Sequence, residues 1–459
     1  MAVRVGHDAP AWLDDAARTR LRRRAGSGRI ASVTVEVDPG LDAAAAVMAA
    51  RRPSDRWFCF EQPDRDGYAV CGLGAAAVVE ARGQDRFAEA AQACRRLGEG
   101  AQHDAGGLPG AGPVFAGGFS FSPTGGHSPE WEGLAPAQMV LPEISFARLG
   151  GRAALTVTAI GDPEPVLARL DELRPAAMPL IDPDPAVRSR VVSEAPPEHF
   201  EEAVRRAVER IGAGELEKVV LARIVRVHAG HPHDPAALLG ALREVFPSCY
   251  TYCVGAPGGA FVGASPELLV RRDGARAQTV ALAGTTRRSA DPAVDDHLGE
   301  QLLTSAKNRA EQAIVARRIE RTLEPVSVWV TVADRPVLVK VHNVQHLGTP
   351  IRAQLADPLP ALELAGRLHP TPAVGGEPPE RAARLIPALE GIDRGWYAGT
   401  VGWTDLEEDG EFCVAIRCAL LRDQVAHLFA GNGIVADSDP ADELAETEAK
   451  LQALLPLLA

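Results

Sequence analysis

The sequence predicts an α+β protein built from two structurally similar halves, on three observations. Apolar runs with a period of two, bounded by Gly, Pro or Asp, are interspersed with amphipathic helices in no regular alternation. That pattern favours α+β layering over a doubly wound sheet. Two passages share an order of aromatic-Ala-Gly, loop, and a hairpin of two apolar strands. One is FAGGFSF at 115–121 with LPEISFARLGGRAALTVTAI after it; the other is YAGTVGW at 397–403 with FCVAIRCALLRDQVAHLFAG. Finally, 46% hydrophobic and 24% charged residues in a chain of 459 make an ordinary globular composition with ample length for a core. Disordered and collagen-like sequence is excluded for most of the chain.

The elements follow in order. Residues 1–28 form a polar, Arg-rich lead-in. Residues 29–190 make the first half: strands at IASVTVEV, WFCFE and GYAVCGLG, an amphipathic helix DRFAEAAQACRRLGEG stopping at Gly98, and Gly/Pro-rich loops near 104–113 and 123–128. Strands resume at VFAGGFSF, MVLPEISFARL and RAALTVTAI, and PEPVLARLDELR is helical. The Pro- and charge-rich stretch 179–197 reads as a linker. Residues 195–456 make the second half. A helix with a Gly-marked stop leads into KVVLARIVRV; CYTYCVG, GAFVGASPELLVRRDG and RAQTVALAGT are strands, and long helices are expected at 295–323 and 440–456.

Charge and cysteine usage narrow the class. With 48 Lys+Arg against 61 Asp+Glu the net charge is −13, which argues against nucleic-acid binding and says little about a small anionic substrate. The seven cysteines are odd in number, scattered and without zinc spacing, and read as reduced core thiols. The first residues carry charges throughout and no apolar h-region, and no apolar run is long enough to span a bilayer. A cytoplasmic protein without membrane or nucleic-acid partners is expected.

Several residues could carry chemistry. In SDPADELAETEAKLQALLPLL, Ser438 or Asp439 can cap a helix whose Glu443, Glu446 and Lys450 share one face. The alternative is a solvated face with an ordinary Glu446–Lys450 pair. In SAKNRAEQAIVARRIERTL, Glu311 leans toward Ile314 and Val315, so its carboxylate must be paired, protonated or metal-bound. A hard cation such as Mg²⁺ would take oxygens from Glu311, Glu443 and Glu446 if the two helices meet. Lys218 starts an apolar strand: it is either an edge lysine or one kept from water, which favours the neutral form and lets it act as a base. Glu267, after Gly-Ala-Ser-Pro, is either a turn-ending surface residue or a buried acid able to protonate a leaving oxygen. GNGIV, LAGTT and LHPTPAVGG read as loops whose amides could approach an anion.

Ten strings occur together and in order: KVVLAR, FVGASPELL, LAGTTRR, SAKNRAEQ, VQHLGT, LHPTPAVGG, YAGTVGW, VAIRCALL, GNGIV and SDPADELAETEAK. On these the chain resembles the chorismate-utilising enzymes: isochorismate, salicylate, anthranilate and aminodeoxychorismate synthases. The resemblance implies a two-lobed fold with a β-sandwich core flanked by helices. It also implies that Lys218 activates water for attack at C2 of chorismate, that Glu267 protonates the departing C4 hydroxyl, and that Glu311, Glu446 and Glu443 hold Mg²⁺. Arg417, Tyr397, Gly431, Gly433 and Lys450 match groups that bind the substrate carboxylates and enolpyruvyl side chain. Thr285 and Ala373 match positions lining the ring, and His346 matches a pocket histidine. Asn308 and Gln312 depart from the more usual acidic and histidine neighbours of the metal glutamate.

Single positions choose among family members. Ala283 stands where aminodeoxychorismate synthases commonly carry lysine, and Lys218 is present where ammonia-using members generally lack it. No glutaminase subunit is expected. Water is the implied nucleophile, and HPTPAV and GTVGW favour an isochorismate synthase, acting as a monomer. The rivals are a salicylate synthase, which adds pyruvate elimination, and an inactive paralogue acting as a binding subunit.

Overall fold

Two antiparallel sheets, one of 12 strands and one of 10, organise the computed structural model, which describes residues 12–26, 28–104, 107–182, 188–342 and 344–459. Residues 1–11 of the lead-in and 183–187 of the linker lie outside the described residues. From the outer edge of the larger sheet to its middle, the first half lays down Ile30–Val37, Arg152–Ile160, Ile144–Leu149, Tyr68–Leu73 and Trp57–Gln62. From the other side, the second half lays down Lys218–His228, Val425–Ile434, Cys418–Arg422, Gly259–Ser265 and Tyr250–Ala256 in the same order. The halves meet where Trp57–Gln62 pairs with Tyr250–Ala256. In the smaller sheet they meet where Val114–Phe119 pairs with Thr400–Asp405, so the two aromatic-Ala-Gly passages seen in the sequence adjoin.

Alternation along the strands separates two cores. Phe58 and Phe60 join residues of the smaller sheet in the inter-sheet core, with Tyr252, Phe261, Phe412, Trp131 and Trp396. Cys59 points the other way, under helices Asp15–Ala25, Ala43–Ala50, Glu164–Glu172 and Pro235–Val245. All seven cysteines are buried and free. Within the lead-in, Asp15–Ala25 is a helix: Asp14 caps it by accepting from Ala17 N at 2.7 Å, and Leu21 is fully buried.

Strands cross between sheets at short breaks. Pro142–Glu143 separates Ala137–Leu141 in the smaller sheet from Ile144–Leu149 in the larger. Pro266–Glu267 and Ala415–Arg417 are the corresponding breaks of the second half. The second half also carries an insertion between Leu268–Asp273 and helix Ala361–Leu368: strand Arg276–Arg287, helices Pro292–Thr304 and Ala306–Leu323, and strands Ser327–Val332, Val337–Lys340 and Val344–Leu355. The single long helix expected at 295–323 is thus two. Ser305, in an extended conformation, ends the first and caps the second by accepting from Asn308 N, as serine favours at an N-cap.

Close packing of the joining strand against its neighbour Ala137–Leu141 depends on glycine. A Cβ on Gly117 would lie 1.9 Å from Gln138 O on the paired strand. Gly117→Ala is expected to lose about 1–3 kcal/mol in urea unfolding. Gly212→Ala, with nothing within 4 Å, should be neutral or gain up to about 1 kcal/mol.

Candidate active site

A cavity of about 240 Å³ opens at the second-half crossovers, and every site residue singled out in the sequence lines it. Lys218 opens the strand Lys218–His228, with Glu377 opposite it on one side and Ile434 opposite Val219 on the other. It is therefore no edge lysine: it is 1% exposed, and its Nζ lies 2.8 Å from Glu311 Oε1. Glu267 sits in the buried break between sheets, its amide donating to Ser265 Oγ and its carbonyl accepting from Val414 N. Arg417 occupies the paired break with φ of +51°, a left-handed backbone uncommon for a non-glycine residue. Its Nη2 donates to His346 Nε2 at 3.5 Å, while His346 Nδ1 lies 3.0 Å from Thr285 Oγ1.

Two of the three stretches read as anion-binding loops are strand instead. Gly431, Asn432 and Gly433 pair with Ala222, Leu221 and Val220, and LAGTT lies in Arg276–Arg287 with a register shift at Gly284. Their glycines serve close approach rather than a turn. A Cβ on Gly433 would lie 2.4 Å from Glu311 Oε1 and 2.6 Å from Lys218 Cε, and one on Gly431 would lie 2.8 Å from the Tyr397 hydroxyl. Tyr397 is buried, its ring stacked on Phe429 at 5.0 Å.

The C-terminal helix does not present a solvated face. Asp439 caps it, Glu443 is 5% exposed and Lys450 9%. The Glu446–Lys450 pair exists, at 2.8 Å, but Lys450 also donates to Gly431 O at 2.9 Å and Asn432 Oδ1 at 2.6 Å. All three ammonium protons thus have protein acceptors. Asn432 in turn donates to the Glu443 carbonyl and carboxylate. Sequence reasoning missed Asn432, which GNGIV contains but which sits between glycines that attract the attention. It also missed Lys307, 3.6 Å from Glu443, although that residue stands in the same block as Glu311. Gln312 faces away from the cavity, donating to Ala281 O and Thr349 Oγ1.

Burial sets the protonation states. It pushes the Glu267 carboxyl up to about 8, against the opposing charges of Lys218 and Arg417, so Glu267 is an acid at neutral pH. It holds the His346 ring well below its usual range, and the positive charges of Arg417 and Lys450 add to this. His346 is therefore neutral; with Arg417 donating to Nε2, its proton lies on Nδ1, toward Thr285. Burial raises Glu443, with the like charge of Glu446 adding to it. Burial would raise Glu446 too, but Lys450, Arg417 and Lys307 hold it below the usual carboxylate range. Three carboxylates facing one cavity are hard oxygen donors of the type Mg²⁺ takes. As placed, Glu311 lies on Lys218 and Glu446 on Lys450, and among the described residues no three acidic, histidine or cysteine groups stand close enough to enclose one ion.

The fold and this cavity define a class. The chain belongs to the chorismate-binding enzymes: residues 15–459 match the family described as chorismate binding enzyme. Within it the chain is similar to the isochorismate synthase MenF of Bacillus subtilis strain 168, 33% identical over 425 residues, 89% of each chain. It is similar also to the salicylate biosynthesis isochorismate synthase of Pseudomonas aeruginosa, 36% identical over 438 residues, 94% of this chain and 90% of that one. Its fold matches the solved menaquinone-specific isochorismate synthase MenF of Escherichia coli with a TM-score of 0.80 and 27% identity, over 97% of this chain and 99% of that one.

The raised Glu267 carboxyl has a consequence for stability. Its folded value, about 8, exceeds the ordinary 4.5, so the native state holds a proton that the unfolded state has released in between. Stability from this group is present below about pH 4.5 and is lost as pH rises through about 8. Glu267→Gln is therefore expected to gain on the wild type as pH rises from 5 to 8, by up to a few kcal/mol. Denaturant unfolding across that range checks it; a constant gap between the two proteins contradicts the assignment.

Proposed function

We propose that the protein is an isochorismate synthase, moving the ring hydroxyl of chorismate from C4 to C2 with Lys218 as base and Glu267 as acid. The observation that carries this reading is the pairing of a buried lysine with a carboxylic acid protonated at neutral pH, at one cavity. Lys218, acting as the neutral amine once its own proton has left, takes a proton from the water that adds at C2, and Glu267 gives its proton to the C4 oxygen, which leaves as water. The water consumed equals the water released, so the reaction is a net isomerisation. Proton transfer by positioned groups contributes typically about 10²–10⁴-fold each.

The remaining residues bind a dianion. The Arg417 guanidinium suits a carboxylate through paired hydrogen bonds. Thr285, whose hydroxyl lies 3.0 Å from His346 Nδ1, lines the cavity beside it and can donate to the substrate. Tyr397 and Ala373 bound the ring and side chain, and Lys450 holds the Gly431–Gly433 strand end that admits them. Mg²⁺ is the cofactor we assign, with Glu311, Glu446 and Glu443 to hold it; when bound it supplies positive charge to the ring carboxylate. Water rather than ammonia as nucleophile leaves no need for a glutaminase subunit.

Incubation of the purified protein with chorismate and Mg²⁺, followed by chromatography, tests this. Isochorismate without pyruvate is the expected result. Salicylate with equimolar pyruvate would make the protein a salicylate synthase, and no turnover would make it an inactive paralogue. Lys218→Ala should lower kcat at least about 100-fold while chorismate still binds. Glu446→Gln should raise the Mg²⁺ concentration needed for half-maximal activity with little change in Tm.

The wild-type rate should also fall as pH rises above about 8, where Glu267 loses its proton. A kcat profile flat from pH 7 to 9.5 would remove Glu267 as the acid.

A further inference from the structure

The strand that begins with Lys218 has a gap in its outer edge. Lys218 and Val219 pair with Glu377 and Gly376, and Val220 N donates to Gly375 O at 2.7 Å. Partners return farther on, where Glu194 N donates to Ile224 O at 2.9 Å and Arg190–Ser193 pairs with Val225–His228. Between these points Val220 O and Ala222 N have no backbone partner among the described residues, and a buried backbone group left without one is costly. Two side chains fill the part of the gap nearest Lys218. Arg394 Nη2 donates to Val220 O at 2.9 Å, and Ala222 N donates to Glu390 Oε1 at 2.7 Å. Glu390 and Arg394 also bind each other through both carboxylate oxygens, with side chains only 1% and 3% exposed.

The same guanidinium reaches the rest of the cavity floor. Arg394 Nη1 donates to Val374 O at 2.9 Å, beside Ala373 in the 369–375 loop. The guanidinium also lies over the rings of Phe121 at 4.2 Å and Tyr397 at 5.7 Å. Val220, Val374 and Tyr397 all line the cavity, and they come from three separate segments. We infer that the Glu390–Arg394 pair replaces a missing length of strand and is a positioning element of the active site, setting the Lys218 strand, the Ala373 loop and Tyr397 relative to one another. Neither residue touches the cavity itself. A hydrophobic pair of similar volume could fill the space, but only this planar fork and carboxylate can satisfy two strand groups and a loop carbonyl together.

The kinetic consequence rests on the proposed isochorismate synthase activity; the structural one does not. In the wild type, the Ala222 amide is expected to exchange with deuterium as slowly as the central strands. Arg394→Lys keeps the charge but loses the fork; it should speed exchange at Ala222 at least tenfold and lower kcat about 10- to 100-fold. The double variant Glu390→Leu with Arg394→Met removes the ion pair but leaves Val220 O, Ala222 N and Val374 O without their partners, so it should melt below the wild type and remain as impaired as Arg394→Lys. Normal kcat in that double variant would overturn the positioning role and leave only a stabilising one. Loop-like exchange at Ala222 in the wild type would overturn the strand substitution without any variant having to fold. If the wild type does not turn over chorismate, the activity is misassigned, and the exchange experiment still decides the pair.

Discussion

The structure turns on one constraint: charges brought into a small cavity between sheets must be compensated there. Lys218, Lys307, Arg417 and Lys450 face Glu311, Glu443, Glu446 and the protonated Glu267 across one space. An unpaired buried charge is costly, and for a pair as buried as Lys218–Glu311 the removal of one partner leaves about 3–5 kcal/mol of destabilisation. Each lysine accordingly has a carboxylate, at 2.8 Å for Lys218–Glu311 and Lys450–Glu446 and 3.6 Å for Lys307–Glu443. Arg417 and Glu267 have no such short pairing with each other, and both sit in chain breaks where the backbone leaves one sheet for the other. Among the described residues they are the one cation and the one carboxylic acid of the cavity that no short ion pair engages. The glycines at 431 and 433 follow from the same constraint, since any side chain there would separate the ion pair or displace Tyr397.

The repeat explains why this site exists once. Both halves send strands through the same order across the larger sheet, but only the second carries the insertion with strand Arg276–Arg287, helix Ala306–Leu323 and strand Val344–Leu355. Thr285, Lys307, Asn308, Glu311 and His346 all come from it. The remaining site residues come from the part of the second half that has a counterpart in the first. A strand-crossing framework thus supplies Glu267, Lys218 and Arg417, and the insertion supplies the wall that keeps them in a cavity.

Much of this was legible in the sequence because strands announce themselves by alternation and breaks by Pro and Gly. The half-repeat was visible through two short strings because small residues are obligatory on the two joining strands, where Gly117 and Gly402 lie against carbonyls of the next strand in their own half. The site was legible for a different reason, since ten ordered strings resemble a known family while no one residue proves itself. What stayed hidden has physical causes. Helix Ala43–Ala50 is AAAAVMAA, apolar all round and without a period to detect. The break at Ser305 lies inside an otherwise continuous helical pattern, where a serine can be interior or cap. The strand nature of GNGIV was missed because glycine marks both turns and close approach. The Glu390–Arg394 pair, spaced i,i+4 on paper, looks like any helix-surface ion pair; only the gap in a distant strand gives it a purpose.

The first half shows what the crossover becomes without a wall. By position in the two sheets, Glu143 at the Pro142–Glu143 break corresponds to Arg417, and the turn at Gly74 corresponds to Glu267. There Arg169 from helix Glu164–Glu172 closes over the break, binding Glu143 at 3.2 Å and also Asp55. A Cβ on Gly74 would lie 2.2 Å from Glu143 Oε2 and 3.0 Å from the Arg169 guanidinium, so no room is left. Charge compensation is completed inside the protein, and nothing remains for a ligand to satisfy. In the second half the corresponding positions hold an arginine and an acid instead of a glutamate and a glycine, and the helix packed nearby brings Glu443, Glu446 and Lys450 rather than a single closing arginine. An open site here is thus the same crossover with its compensation divided among groups that face a cavity rather than one another.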